Sequence, residues 1–158
     1  MSTPLTALTS SGRRLTSAAL ALVMAATMLL LMAPSSAYAA GSSGGDGRYV
    51  NSTCGGLGYT TDNRIRNETV SNGAARLQVF YSRSKNANCA QLINLTGSST
   101  HMTVRIERSS NTGDYAVDSG SYSSYAGAVI LTDAGSSCIN LGWYIHSGGG
   151  WRYNVHCG

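Results

Sequence analysis

The chain has 158 residues and a net charge of +4, with 11 basic and seven acidic residues. This length suits one small domain. Its basic residues are scattered singly, whereas nucleic-acid binding requires them to cluster on one face, so the composition argues against a nucleic-acid partner.

The first 39 residues have the pattern of a secretory signal peptide. Arg13 and Arg14 precede an apolar run at 18–33, and an A-Y-A motif at 37–39 follows it. The run is shorter than the roughly 20 residues of a membrane-spanning helix, so cleavage after the motif is favoured over a retained membrane anchor. The arginine pair also permits twin-arginine export, although ordinary secretion fits the flanking residues better. We therefore expect a secreted protein with no membrane attachment after cleavage.

Two segments follow the predicted signal peptide. Residues 40–48 begin with A-G-S-S-G-G-D-G, a composition typical of a flexible leader. Residues 49–158 are then expected to form a single β-domain. Without Arg13 and Arg14, nine basic residues face seven acidic ones, so the net charge falls to +2.

The rest of the chain is predicted to consist of short strands. Apolar and polar residues alternate with a period of two around Leu77–Tyr81, Cys89–Leu95 and Met102–Glu107. Further candidate strands lie at 64–70, 115–117, 128–132, 138–145 and 151–157. No window has the apolar spacing of a long helix. The pattern predicts an all-β fold, either a small disulfide-tied β-sandwich or a closed β-barrel of about seven or eight short strands.

The chain contains four cysteines, an even number that predicts two disulfides in an exported protein. They are too far apart in sequence for a zinc site, and no other metal or cofactor is indicated. Three pairings are open. We predict Cys54–Cys157 and Cys89–Cys138, because both bridges close long loops and constrain the unfolded chain most. The alternative with Cys138 bonded to Cys157 would join two strands of one hairpin and add less constraint.

One strand carries residues that could perform acid–base chemistry. His101, Arg105 and Glu107 share a strand face, which suggests a small secreted hydrolase that attacks a phosphodiester. Thr103 completes the same face, however, and this pattern is typical of the solvent side of an amphipathic strand. No nucleophile motif of the form G-x-S-x-G occurs. The favoured prediction is therefore a protein with no identifiable catalytic site.

Aromatic residues near loops are candidates for a binding surface. Tyr122 and Tyr125 lie in a Ser/Tyr/Gly stretch at 119–127, and Trp143 lies close to the last turn. Such rings can stack on sugars or pack against a secreted protein, for example an enzyme that the module inhibits. The alternative is that they fill the core. We expect that role for Trp151, placed opposite Tyr144 across the last hairpin.

The four cysteines and the tyrosine stretch together support a family resemblance. The residues that match the family pattern are Cys54-Gly55, Gly58-Tyr59, Tyr81, Asn88-Cys89, the block 119–127, Val129, Ala134-Gly135, Cys138 and His156-Cys157-Gly158. Residues 50–158 resemble the spore-associated protein A family of secreted actinomycete proteins, with small differences in turn length. The resemblance implies a secreted structural or interaction protein of the spore or cell surface. Its expected partner is a cell-wall or spore-surface glycan or a secreted protein.

Overall fold

Ten β-strands make up most of the computed structural model, which describes residues 40–146 and 148–157. They are β1 Ala40–Gly44, β2 Gly47–Tyr49, β3 Arg64–Val70, β4 Ala75–Ser82, β5 Ala87–Asn94, β6 Thr100–Arg108, β7 Asn111–Tyr122, β8 Tyr125–Thr132, β9 Ile139–Ile145 and β10 Gly148–Val155. The only helical pieces in these ranges are two 3₁₀ turns, Thr61–Asn63 and Ser71–Gly73. The predicted signal peptide, residues 1–39, lies outside the described residues.

The strands form two separate antiparallel sheets of five strands each. Sheet A has the order β1-β7-β6-β9-β10, and sheet B has the order β2-β8-β5-β4-β3. The predicted all-β fold with sandwich architecture is confirmed. The closed-barrel alternative is wrong, and the described part of the chain has ten strands instead of seven or eight.

The core lies between the inner faces of the two sheets. Leu77 and Val79 of β4 face this layer from sheet B, while Met102, Val104 and Ile106 of β6 face it from sheet A. All five side chains are fully buried. The period-two alternation in these segments therefore identified the inner faces correctly, because successive side chains of a strand point to opposite sides of the sheet.

Residues 40–48 contain the edge strand β1 and most of the edge strand β2, joined by a turn at Gly45 and Asp46, so the prediction of a flexible leader is wrong. β1 pairs along β7, and β2 pairs along β8, so the link between them crosses from sheet A to sheet B. Close packing explains the small residues in this segment. A side chain at Gly41 would overlap the ring of Tyr49, and one at Gly47 would overlap the carbonyl of Tyr115. The β-domain therefore includes residues before position 49.

The disulfides join Cys54 to Cys89 and Cys138 to Cys157, so the predicted pairing of Cys54 with Cys157 and Cys89 with Cys138 is wrong. Cys89 lies on the outer face of sheet B, beneath the loop that carries Cys54. Cys138 precedes β9 of sheet A, and β10 returns the chain to it. The expected long-range bridges would have had to connect different sheets of the sandwich.

A buried arginine ties the sheets together at one end of the sandwich. Arg108, at the end of β6, is 8% exposed. Its Nε donates to Asp114 Oδ2 at 2.8 Å, and its Nη2 donates to Asp46 Oδ2 at 2.9 Å. The same guanidinium donates to the carbonyls of Asp133 and Thr132, at 2.9 and 3.0 Å. One side chain thus links β6, β7, the β1–β2 connection and the end of β8.

Candidate functional site

Three exposed aromatic side chains lie together on β9 and β10. Tyr144 is 45% exposed, Trp151 is 40% and Tyr153 is 65%. In the described part of the chain, only two other large apolar side chains, Ile65 and Leu95, are exposed to this degree. The rings of Trp151 and Tyr153 are nearly parallel, with centroids 5.8 Å apart and planes inclined by 10°. We call these three residues the aromatic face.

Glycines beside the rings explain how the aromatic face is built. Trp151 pairs with Gly142 across the β9–β10 ladder, and Gly149 pairs with Tyr144. A Cβ on Gly142 would lie 3.0 Å from the indole of Trp151, so this ring covers the glycine backbone. The expected register, with Tyr144 opposite Trp151, is wrong by two residues. Trp151 therefore lies against a glycine, with its ring exposed, and is not a core residue.

The face of sheet A that continues from these rings is polar. His101 has its ring centroid 6.3 Å from that of Tyr144. Thr103 pairs with Tyr144 in the ladder, and Arg105 pairs with Gly142. The Arg105 Nε donates to Glu107 Oε2 at 2.9 Å, and its guanidinium lies 4.3 Å from the Tyr115 ring. Hydroxyl, guanidinium and carboxylate groups therefore lie next to the aromatic face.

The proposed hydrolase residues do not converge. His101 and Glu107 occupy the same strand face six positions apart, a separation of about 20 Å at about 3.3 Å per residue. Glu107 is 7% exposed, and its carboxylate accepts from Arg105 and from the Asn140 amide. His101 is exposed, with its Nε2 3.4 Å from the Ser119 hydroxyl. This geometry gives no support to joint attack by these two side chains on one bond.

The tyrosine stretch is more ordered than a loop. β7 extends to Tyr122 and β8 begins at Tyr125, which leaves only Ser123 and Ser124 between them. Asp118 is 1% exposed and accepts hydrogen bonds from the Tyr122 hydroxyl and, at 2.6 Å, from the Gly127 N–H. Burial, together with this bond to Asp118, raises the pKa of Tyr122. Tyr122 is thus anchored inward by its hydroxyl.

Within the described part of the chain, the Tyr125 hydroxyl makes no hydrogen bond like the one between Tyr122 and Asp118. It is half-buried and pairs with Ile93 of β5. Together with Asn51 and the exposed serines of the connection it borders a depression of about 240 Å³. Of the two tyrosines predicted to bind a partner, Tyr125 is therefore the one whose hydroxyl is not bound to Asp118.

Trp143 is buried, so this predicted binding residue does not offer its ring to a partner. It is 8% exposed, packs in the core and has the Arg152 guanidinium 5.0 Å from its ring. Its neighbour Tyr144 points to the opposite side of the sheet and is exposed. The signal was present in the sequence, because Trp143 is in phase with Ile139, Leu141 and Ile145, the apolar set of β9.

A curated relative settles the family. The spore-associated protein A of Streptomyces coelicolor is 30% identical over 120 residues, which are 75% of this chain and 73% of the relative. This chain belongs to the spore-associated protein A family. The resemblance found in the sequence is thereby confirmed. No family model matches the chain, and no solved structure matches it.

In this member of the spore-associated protein A family, the described residues contain no group of three His, Cys, Asp or Glu side chains that could hold a metal ion. They also contain no helix long and apolar enough to cross a membrane. The exposed features that could meet a partner are the aromatic face and the polar groups beside it.

Proposed function

We propose that this protein is an exported, non-catalytic component of the spore or cell surface that attaches by its aromatic face to a surface polysaccharide. The Streptomyces coelicolor relative is named for its association with the spore. The predicted signal peptide supports export. All four cysteines form disulfides, a state that persists in oxidising compartments outside the cytosol.

The observation that carries the binding proposal is the clustering of Tyr144, Trp151 and Tyr153 on one surface. Large exposed aromatic rings that lie together are typical of interaction sites, since scattered single apolar residues are the ordinary condition of a surface. A sugar ring presents C–H groups on its flat side and hydroxyl groups around its rim. The C–H side fits a flat indole or phenol, and the hydroxyls can bond to Arg105, Thr103 and similar groups next to it.

A sedimentation assay tests attachment. The purified protein is mixed with insoluble cell-wall peptidoglycan or chitin, and the bound fraction is measured as a function of polysaccharide concentration. The Trp151→Ala/Tyr153→Ala variant is expected to bind at least about 30-fold more weakly. It removes two aromatic contacts, each of which contributes about 1–2 kcal/mol, and a loss of about 2 kcal/mol corresponds to about 30-fold in affinity. The matched control is Ile65→Ala/Leu95→Ala, which removes two similarly exposed apolar side chains elsewhere. Equal binding by both variants would contradict the proposal.

A second variant tests the shape of the aromatic face without removing a ring. Gly142→Ala places a Cβ about 3.0 Å from the Trp151 indole, tighter than ordinary contact, so the ring must shift. We expect weaker polysaccharide binding by this variant. Fractionation of a sporulating culture tests location separately, and recovery only from the cytoplasm would contradict surface association.

The β7–β8 connection supports a second candidate function, contact with a secreted protein such as a hydrolase that it inhibits. The specific observation is the depression of about 240 Å³ at Tyr125, held in shape by the two hydrogen bonds to Asp118. A rigid connection with exposed hydroxyls suits such contacts. Inhibition assays on secreted hydrolases, compared between the parent protein and Tyr125→Ala, test this role. Unchanged inhibition in the variant would exclude this depression as the contact.

A further inference from the structure

An apolar pocket with a basic rim lies on the outer face of sheet B, on a different sheet from the aromatic face. Its volume is about 340 Å³, at the lower end of the range of small-ligand sites. Val50, Leu57 and Ile130 supply apolar walls. The remaining lining residues are Arg48, Tyr59, Lys85, Ala87 and Thr132.

The wall of this pocket is held in place by covalent and polar contacts. The segment that carries Leu57 and Tyr59 is tied to β5 by the Cys54–Cys89 disulfide. The Cys54 N–H donates to Gln91 Oε1 at 2.6 Å, and the Tyr59 N–H donates to the Cys54 carbonyl at 3.0 Å. Both cysteines are fully buried. A ligand would therefore meet a wall that is already formed and would not have to order it.

The charge on the rim has one sign. Arg48 and Lys85 both line the pocket, and none of the described residues that line it carries a carboxylate. Among the described residues, neither of the two side chains forms an ion pair. The Lys85 Nζ lies 5.9 Å from the centroid of the Tyr59 ring, a cation–π distance that keeps the ammonium at the rim. The two cations are thus available to an anion, next to walls that favour an apolar group.

We propose that this pocket binds a single-chain anionic amphiphile, with the carboxylate or phosphate head between Arg48 and Lys85 and the start of the alkyl chain against Val50, Leu57 and Ile130. A small inorganic anion would leave the apolar walls in water, and a neutral sugar would leave both cations without a counter-charge. An amphiphile satisfies the charge and the apolar surface together. This inference goes beyond surface attachment. None of the residues substituted in the polysaccharide assay lines this pocket, so the two proposals are tested independently.

Binding of dodecanoate below its micelle concentration tests the proposal by equilibrium dialysis with the purified protein. Acetate supplies the head alone, and dodecyl maltoside supplies the chain with an uncharged head. We expect both to bind at least about tenfold more weakly than dodecanoate, because each lacks one of the two contacts. Dodecyl phosphate is measured in parallel, and the tighter of the two anionic probes identifies the preferred head group.

Charge variants locate the site. Arg48→Gln and Lys85→Gln are each expected to weaken dodecanoate binding about tenfold, since each loses one charge-assisted contact. The matched control is Arg76→Gln, which removes an exposed arginine of the same sheet outside the pocket and should leave binding unchanged. Leu57→Asp tests the apolar wall. Because Leu57 is half-buried, its fold is checked by circular dichroism, and the two exposed charge variants test the site independently of it.

Three results would overturn the proposal. The first is equal binding of dodecanoate and dodecyl maltoside, and the second is the same loss of affinity in Arg76→Gln as in Arg48→Gln. The third is binding to vesicles of anionic phospholipid with none to monomeric dodecanoate, which would indicate a membrane-surface contact. Methyl resonances of Val50, Leu57 and Ile130 that shift on addition of dodecanoate would support the proposed location.

Discussion

Replacing Arg108 with methionine is expected to destabilise the protein strongly. Methionine keeps an apolar stem that reaches about as far as the arginine Nε, but it removes the guanidinium and all its hydrogen bonds. The guanidinium is the bonding partner of Asp114 and Asp46 and of two carbonyls at the end of β8. The variant therefore leaves two carboxylates and two carbonyl oxygens without this donor at the end of the sandwich.

The expected loss follows from how buried each partner is. The Asp114 side chain is 14% exposed and that of Arg108 is 9% exposed. Removing one partner of such a buried pair costs about 3–5 kcal/mol. Asp46 is 46% exposed, so its ion pair contributes at most about 1 kcal/mol. The total is a large part of a net stability of about 5–15 kcal/mol and corresponds to a fall in Tm of roughly 10–20 °C.

Urea unfolding with the disulfides intact, followed by circular dichroism, measures this loss. Arg76→Met is the matched control, because it makes the same chemical change at an exposed position and should alter the unfolding free energy by less than about 0.5 kcal/mol. Asp46→Asn should lose about 1 kcal/mol or less. A loss for Arg108→Met no larger than that of the control would refute the argument from buried charge.

Three further predictions concern a disulfide, a histidine and a carboxylate. Without denaturant, dithiothreitol should reduce Cys138–Cys157 before Cys54–Cys89, because Cys157 is exposed while Cys54 and Cys89 are both buried. Alkylation followed by mass spectrometry measures the order of reduction, and labelling of Cys54 and Cys89 first would contradict this. Burial lowers the pKa of His156, so the unfolded chain takes up a proton at higher pH than the folded chain. The stability that this histidine contributes is present above about pH 6.5 and is lost as the pH falls below it. When urea unfolding is measured between about pH 7 and 5, the unfolding free energy of His156→Gln should therefore decline less than that of the parent protein. Asp118→Ala should lower the unfolding free energy by about 3 kcal/mol, because the buried Gly127 N–H and the half-buried Tyr122 hydroxyl lose their shared acceptor. A thermal midpoint equal to that of the parent would contradict this.

Local patterns in the sequence determined the fold class and the inner faces. The alternation around Leu77, Val79, Met102 and Val104 predicted strands and identified the buried side of each, because the period of two belongs to the strand itself. The resemblance in residues 50–158 identified the family. The even number of cysteines predicted two disulfides.

Pairing between strands determined the rest, and it depends on residues far apart in the chain. The Gly/Ser segment at 40–48 resembled a flexible linker because nothing local records that β7 and β8 would pair with it. The disulfide partners followed from which sheet each cysteine reaches. The exposed position of Trp151 depends on its register opposite Gly142, and a change of one residue in register would turn a side chain to the other face. Which aromatic side chains are buried, and which lie close to one another, therefore depends on the assembled sandwich. Both properties arise only when the two sheets have formed with their strands in register.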